Sequence, residues 1–296
     1  MTALRGGAGR RDVRPSELGP KILWPLWASL AALMATAARD FANQHAVGMD
    51  AHAYWLAGRH SQLYGRPPMS HDAFLYSPAF KQLIWPLAQL PWPAFCAVWM
   101  VATSVTFIWL LKPLGWGWGV PAFLCCGFAI IQGNITAFLA ACLVLGMRRP
   151  AVWAVALLTK VVVGIGPLWF AVRREWRALA ESLVVTAAVA GLSALVDPGA
   201  WSAWLHFLVH NRGTDATLIY RFAAGVLLVG YAARRNRAWL LAPAMVLVSP
   251  VLHGIAVYLT MLAAIPRLRA PRRDAPPAAA PTDLLAAAGG HGRMAR

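Results

Sequence analysis

Apolar runs alternate with short basic clusters almost from end to end of this chain, and one long polar segment interrupts them near the start. The first run, Ile22 to Ala38, is close to membrane-spanning length and reads as an uncleaved helix. Ala79 to Leu90 is shorter, is flanked by prolines and holds Lys81 and Pro86, so it reads as a short span or as an interfacial helix. Trp92 to Leu111 is a full span. Two apolar halves, 118–131 and 135–147, follow, separated by Gln132, Gly133 and Asn134. The stretch between Arg149 and Arg173 is broken by Lys160, which predicts two half-helices with Lys160 near their outer turn. Leu179 to Val196, Leu218 to Ala233, Trp239 to Pro250 and Val251 to Ile265 complete the set. Asp197 to Thr217 is polar enough to predict a second outer loop.

The pattern predicts an all-α, polytopic transmembrane helix bundle of about ten spans with a large first extracytoplasmic loop. Residues 1–21 are expected to be a disordered cytoplasmic arm, 22–266 the transmembrane domain and 267–296 a disordered cytoplasmic tail. Composition removes the soluble alternative: 59% of residues are hydrophobic and 13% charged, about half the charged share of a soluble domain.

The formal charge of +16 would suggest nucleic acid if it covered a face, but the basic residues sit in clusters between apolar runs. Arg148 and Arg149, Arg173 to Arg177, Arg234 to Arg237 and Arg267 to Arg273 follow the positive-inside pattern of a plasma-membrane protein. The charge therefore reports topology and contact with membrane lipids, and nucleic acid is not an expected partner. The four cysteines, Cys96, Cys125, Cys126 and Cys142, lie in apolar runs and read as small packed residues.

The polar segment runs from Arg39 to Pro78 and concentrates Asp40, Asp50 and Asp72 with His45, His52, His60 and His71. A membrane protein that gathers its ionisable groups in one loop is presenting them to a substrate. Asp50 is a candidate general base; it also fits an N-cap for a loop helix, since AHAYWLAG follows it. Asp40 follows Arg39 and could simply pair with it, and Asp72 lies in a turn-like segment. The histidines have no regular metal-ligand spacing. Lys160, a lone charge in an apolar run, either faces a polar cavity or snorkels to the interface. Gln132 and Asn134 either bond sugar hydroxyls or satisfy broken backbone between two helices.

Asp50, Tyr54, Ala57, Leu63, Tyr64 and Gly65, then Phe74, Tyr76, Pro78, Pro86 and Leu87, then Leu90, Pro91, Ala97 and Trp99 form an ordered signature. With Gln132, Asn134, Lys160, the Arg173 to Ala178 segment and the run from Ser249 to His253, it resembles family 87 of glycosyltransferases over roughly residues 22–266. These are polytopic C-type enzymes that use polyprenyl-phosphate sugars, such as the actinobacterial mannosyltransferases. The resemblance implies a hexosyltransferase, with mannose as the first choice of sugar, working by inverting single displacement on the extracytoplasmic face. It places Asp50 as the catalytic base and Lys160, Gln132, Asn134, His253, Tyr54 and Tyr76 with the substrates; Arg212, a cation in the second outer loop, is a further candidate for the lipid phosphate. The implied partners are a polyprenyl-phosphate sugar donor and a glycolipid, polysaccharide or protein acceptor, and no metal or cofactor is implied. A lipid-linked sugar flippase and a non-catalytic membrane scaffold are the alternatives.

Overall fold

The computed structural model describes residues 15–60, 63–68, 70–210, 217–249 and 255–270. Among the described residues every regular element is a helix. The first, α1, spans Pro15–Asn43 and extends beyond the apolar run 22–38 at both ends. Inside the polar segment the short helix α2, Met49–Ala57, forms. Ser77 starts α3, Pro78–Ala88: its hydroxyl accepts from the Phe80 amide, and Pro78 fills the first turn, where no donor is needed.

Next come α4 (Trp92–Leu111), a 3-10 turn at Lys112–Leu114, α5 (Gly115–Cys125), α6 (Gly127–Gln132) and α7 (Thr136–Gly146). The expected span 118–131 is therefore two helices, broken at Cys126, whose amide bonds back to Phe123 at 2.9 Å. The predicted half-helices around Lys160 are α8, Trp153–Thr159, and α9, Leu168–Val172. The long α10, Trp176–Val196, follows.

One expectation needs correction. The predicted loop 197–217 opens with a helix, α11, Pro198–His210. The Asp197 carboxylate accepts from the Ala200 amide at 2.9 Å, so Asp-Pro is a cap and first-turn signal that polarity alone conceals. The remaining helices are α12 (Leu218–Arg234), α13 (Leu241–Leu247), α14 (Ile255–Leu259) and α15 (Ile265–Arg269).

The core is built on α7, whose Leu139, Ala140 and Leu143 are fully buried against α4, α8 and the 3-10 turn at Thr260–Ala264. Small buried residues let the helices approach closely: Ala154 and Ala156 on α8, Ala232 and Ala233 on α12, Ala242 and Ala244 on α13. The tightest contact is at Gly166, where an added Cβ would lie 1.9 Å from the buried Trp153 ring.

Apolar side chains also face outward. Val98, Val101, Val105 and Ile108 form an exposed row on α4, and Leu183, Val184, Leu192 and Leu195 are exposed on α10. Trp92–Cys125 and Trp176–Val196 are the two stretches, among the described residues, long and apolar enough to cross a membrane. Outward apolar rows on such helices are what lipid contact requires.

Basic residues gather at one end of the bundle. Arg267 donates to the Trp109 carbonyl at 2.7 Å in the last turn of α4. Arg173 reaches the Ala233 carbonyl at 3.3 Å near the end of α12, and Arg269 lies 4.4 Å from the Trp239 ring. Each charge thus neutralises a helix C-terminus or stacks on an indole at that face. The turns between α6 and α7 and after α8 lie at the opposite ends of their helices, and there the chain builds its polar centre.

Candidate functional site

Asp50 sits in the first turn of α2, and its surroundings are set by a turn far along the chain. Gly133, between α6 and α7, has φ +68°, and a Cβ there would come within 2.5 Å of Ala51 Cβ. Only glycine permits both that backbone and that approach. The turn is held from two sides: the Gly48 amide donates to the Ile131 carbonyl at 2.7 Å, and Trp99 Nε1 donates to the Gly133 carbonyl at 2.7 Å.

Asn134 is thereby delivered to the carboxylate. Its Oδ1 accepts from the Thr136 amide at 3.0 Å and so caps α7. Its Nδ2 donates to Asp50 Oδ2. Because the Thr136 amide can only donate, the oxygen must face it, and the NH₂ group is left for the carboxylate. Asp50 is not a cap itself, which removes the alternative reading of its sequence: the N-cap position belongs to Gly48, without a side-chain bond. Burial raises the Asp50 pKa above the usual 3.8, opposed by the Asn134 amide and the Lys160 charge. The outcome is a half-buried carboxylate more basic than an ordinary one.

Lys160 ends α8. Its Nζ donates to Tyr258 Oη at 3.1 Å and lies 4.6 Å from the Tyr258 ring centre and 5.7 Å from that of Tyr76. Among the described residues no carboxylate lies within ion-pair distance of it. Lys160 thus directs its ammonium among phenol side chains, bonded to one of them inside the protein. Tyr76 continues the line, its hydroxyl 2.9 Å from that of Tyr54, which lies one turn beyond Asp50 on α2. The hydroxyl of Ser77 donates to the Leu158 carbonyl, so the signature loop is pinned two residues before Lys160.

Five of the expected site residues, Asp50, Tyr54, Tyr76, Asn134 and Lys160, thus lie together. Gln132 is half-buried nearby, and its side chain has no protein partner among the described residues. Arg212 and His253 lie outside the described residues. Tyr258 was not singled out by the sequence, where a tyrosine in an apolar run reads as an interfacial aromatic.

Asp72 has a different role. His52 Nδ1 lies 2.7 Å from its Oδ1, while His71 Nδ1 and Arg66 Nη1 lie 3.0 and 3.4 Å from its Oδ2. Burial raises its pKa, but the His52 and His71 bonds outweigh that and hold it below the ordinary value. With both oxygens engaged, Asp72 organises the loop. A second anchor is Arg59, which donates to the Ala88, Gln89 and Leu90 carbonyls at the end of α3 at 2.9–3.1 Å and stacks on Trp55. This clamps α2 to α3. The expected Arg39–Asp40 pair is not formed among the described residues.

A family model described as glycosyltransferase family 87 matches residues 74–288. No curated protein and no solved structure matches the chain.

Proposed function

Because this chain belongs to glycosyltransferase family 87, and is therefore a membrane glycosyltransferase, we propose that it moves a hexose, with mannose as first choice, from a polyprenyl phosphate carrier to a glycolipid, polysaccharide or protein acceptor. The observation that carries this reading is the pairing of functions at one end of the bundle. A carboxylate of raised basicity, Asp50, stands near a lysine that has no acidic partner among the described residues.

In the proposed reaction an acceptor hydroxyl approaches the anomeric carbon of the donor opposite the phosphate. As the new carbon–oxygen bond forms, Asp50 takes the hydroxyl proton. The bond from the anomeric carbon to the phosphate oxygen breaks with its electron pair, leaving polyprenyl phosphate as the anion and inverting the anomeric centre. Water then removes the proton from Asp50. Phosphate leaves as a stable anion, so no second carboxylate is needed to protonate it. Lys160 meets the phosphate charge, Tyr54 and Tyr76 line the path between the two groups, and Gln132 and Asn134 offer amides to sugar hydroxyls. Arg212 and His253 are further candidates for the phosphate.

The basic end is proposed to face the cytoplasm and the Asp50 end the outside, in a multi-pass plasma-membrane arrangement of about ten spans. What supports this is the return of the chain to the arginine-bearing end after α4, α7, α9, α12 and α15.

The test is single-turnover sugar transfer with polyprenyl-phosphate mannose, alongside donor binding. Asp50→Asn should bind donor normally and transfer about 10²- to 10⁴-fold more slowly. Near-parental transfer by that variant would overturn the assignment.

A further inference from the structure

The outward row on α4 runs into the basic end of the bundle. Val98, Val101, Val105 and Ile108 recur at helical spacing on one face, each 45–61% exposed. Lys112, four residues after Ile108 and still helical in its backbone, ends the same face with a charge. From Val98 to Ile108 the row rises about 15 Å, the depth of one leaflet in a hydrocarbon core of ~30 Å. Arg267, from α15, meets α4 where the row ends. Its Nε donates to the Trp109 carbonyl at 2.7 Å and its guanidinium carbon lies 4.6 Å from the Trp109 ring centre, so the group is fixed while its two terminal nitrogens keep their donors. Arg148, exposed just after α7, is near enough for its charge to act there: burial, and after it the Arg148 charge, hold the Arg267 pKa below its usual value. Among the described residues no carboxylate pairs with Lys112, Arg148 or Arg267.

We propose that these groups form a site for one anionic glycerophospholipid, its phosphodiester on Arg267, Arg148 and Lys112 and one acyl chain along the α4 row. Two independent features select that class. Cations held together without a counter-charge repel each other, and an anion relieves the repulsion; a phosphodiester can accept two parallel bonds from a guanidinium. An apolar row one leaflet deep that ends at those cations holds a chain joined to the same phosphate, which a free anion cannot use. A zwitterionic lipid brings its own cation to the cluster and loses the charge match. The site lies at the end of the bundle opposite Asp50 and Lys160, so it stands apart from the glycosyl-transfer reading, and the failure of either leaves the other untouched.

The experiment measures equilibrium binding of phosphatidylglycerol, of phosphatidylcholine with the same acyl chains and of inorganic phosphate to the full chain in neutral detergent micelles. The parent is compared with Arg148→Gln, Lys112→Gln and Arg234→Gln. Arg234, exposed in the last turn of α12, is the control, because its loss removes one charge from the same basic end outside the row. Phosphatidylglycerol is expected to bind the parent at least about tenfold more tightly than phosphatidylcholine, as three basic residues near a lipid headgroup allow, and inorganic phosphate at equal concentration should not displace it. Arg148→Gln and Lys112→Gln should each weaken phosphatidylglycerol binding about fivefold, the effect of one such residue, while Arg234→Gln leaves it unchanged. Equal affinity for the two lipids overturns the proposal, as does parental affinity in both Arg148→Gln and Lys112→Gln. Equal losses in all three variants overturn it in favour of diffuse charge attraction, and displacement by inorganic phosphate overturns it in favour of a free-anion site.

Discussion

Asn134 bonds the Asp50 carboxylate through its amide nitrogen across 84 positions of sequence, while the oxygen of the same amide caps α7. One side chain therefore starts a core helix and tunes the candidate base.

The two duties can be separated. Asn134→Asp keeps a capping oxygen but sets a second carboxylate against Asp50, and like charges at close range raise one of the two pKa values. Asp50 must be ionised to accept a proton, so activity falls as pH drops through its pKa, which already lies above 3.8. The acid limb of the pH–rate profile should move to higher pH in Asn134→Asp, with stability lower at neutral pH than at acid pH because a raised folded-state pKa disfavours the fold once the group must ionise. In Asn134→Leu the limb should also move up, because the amide donor is lost, and about 1 kcal/mol of stability should go with the cap. A limb at the parental pH in both variants would leave Asn134 with the cap alone.

Lys160 provides a test of phosphate recognition. Lys160→Met should weaken polyprenyl phosphate binding strongly, and Lys160→Arg should retain part of it because the charge persists. Equal affinities in all three proteins would reduce Lys160 to a packing role.

Packing is tested at Gly166, remote in role from the polar centre. Gly166→Ala forces a methyl against the Trp153 ring, and overpacking of this kind costs typically ~1–3 kcal/mol. A lower melting temperature in detergent is expected. An unchanged melting temperature would mean that the Trp153 ring yields freely.

Orientation can be read with an impermeant thiol reagent on intact cells, in a protein whose four cysteines have been replaced. A cysteine at Ser70 should be labelled and one at Asn236 should not. The reverse pattern would turn the bundle over and put Asp50 on the inner face.

The helices that the sequence showed plainly are those made of one uninterrupted apolar run, α4, α7 and α10, together with the break at Lys160. It misjudged segments where a local capping signal outweighs polarity, as at Asp197 and Pro198. Lys160 stood out because an isolated charge in an apolar run is costly and so demands a partner or a ligand, and Asp50 because it lies in the one long polar segment of the chain. What those partners are was not legible. Tyr258 meets Lys160 from 98 residues away, and no periodicity or motif couples two such positions. Gly133 looked like a simple interruption between apolar halves, and only the approach of Ala51 shows why no other residue serves there.

The hydroxyls of Thr136 and Thr260, 2.9 Å apart and buried, join the helix capped by Asn134 to the segment that carries Tyr258. During synthesis the Asp50 loop is made first, its amide donor only after the chain has passed residue 134, and the phenol for Lys160 only near the end. A nascent chain would thus hold an exposed but untuned carboxylate for most of its elongation. The polar centre is then completed only late in synthesis, and a truncation just before Tyr258 should yield a protein with Asp50 in place and Lys160 without its phenol hydrogen bond.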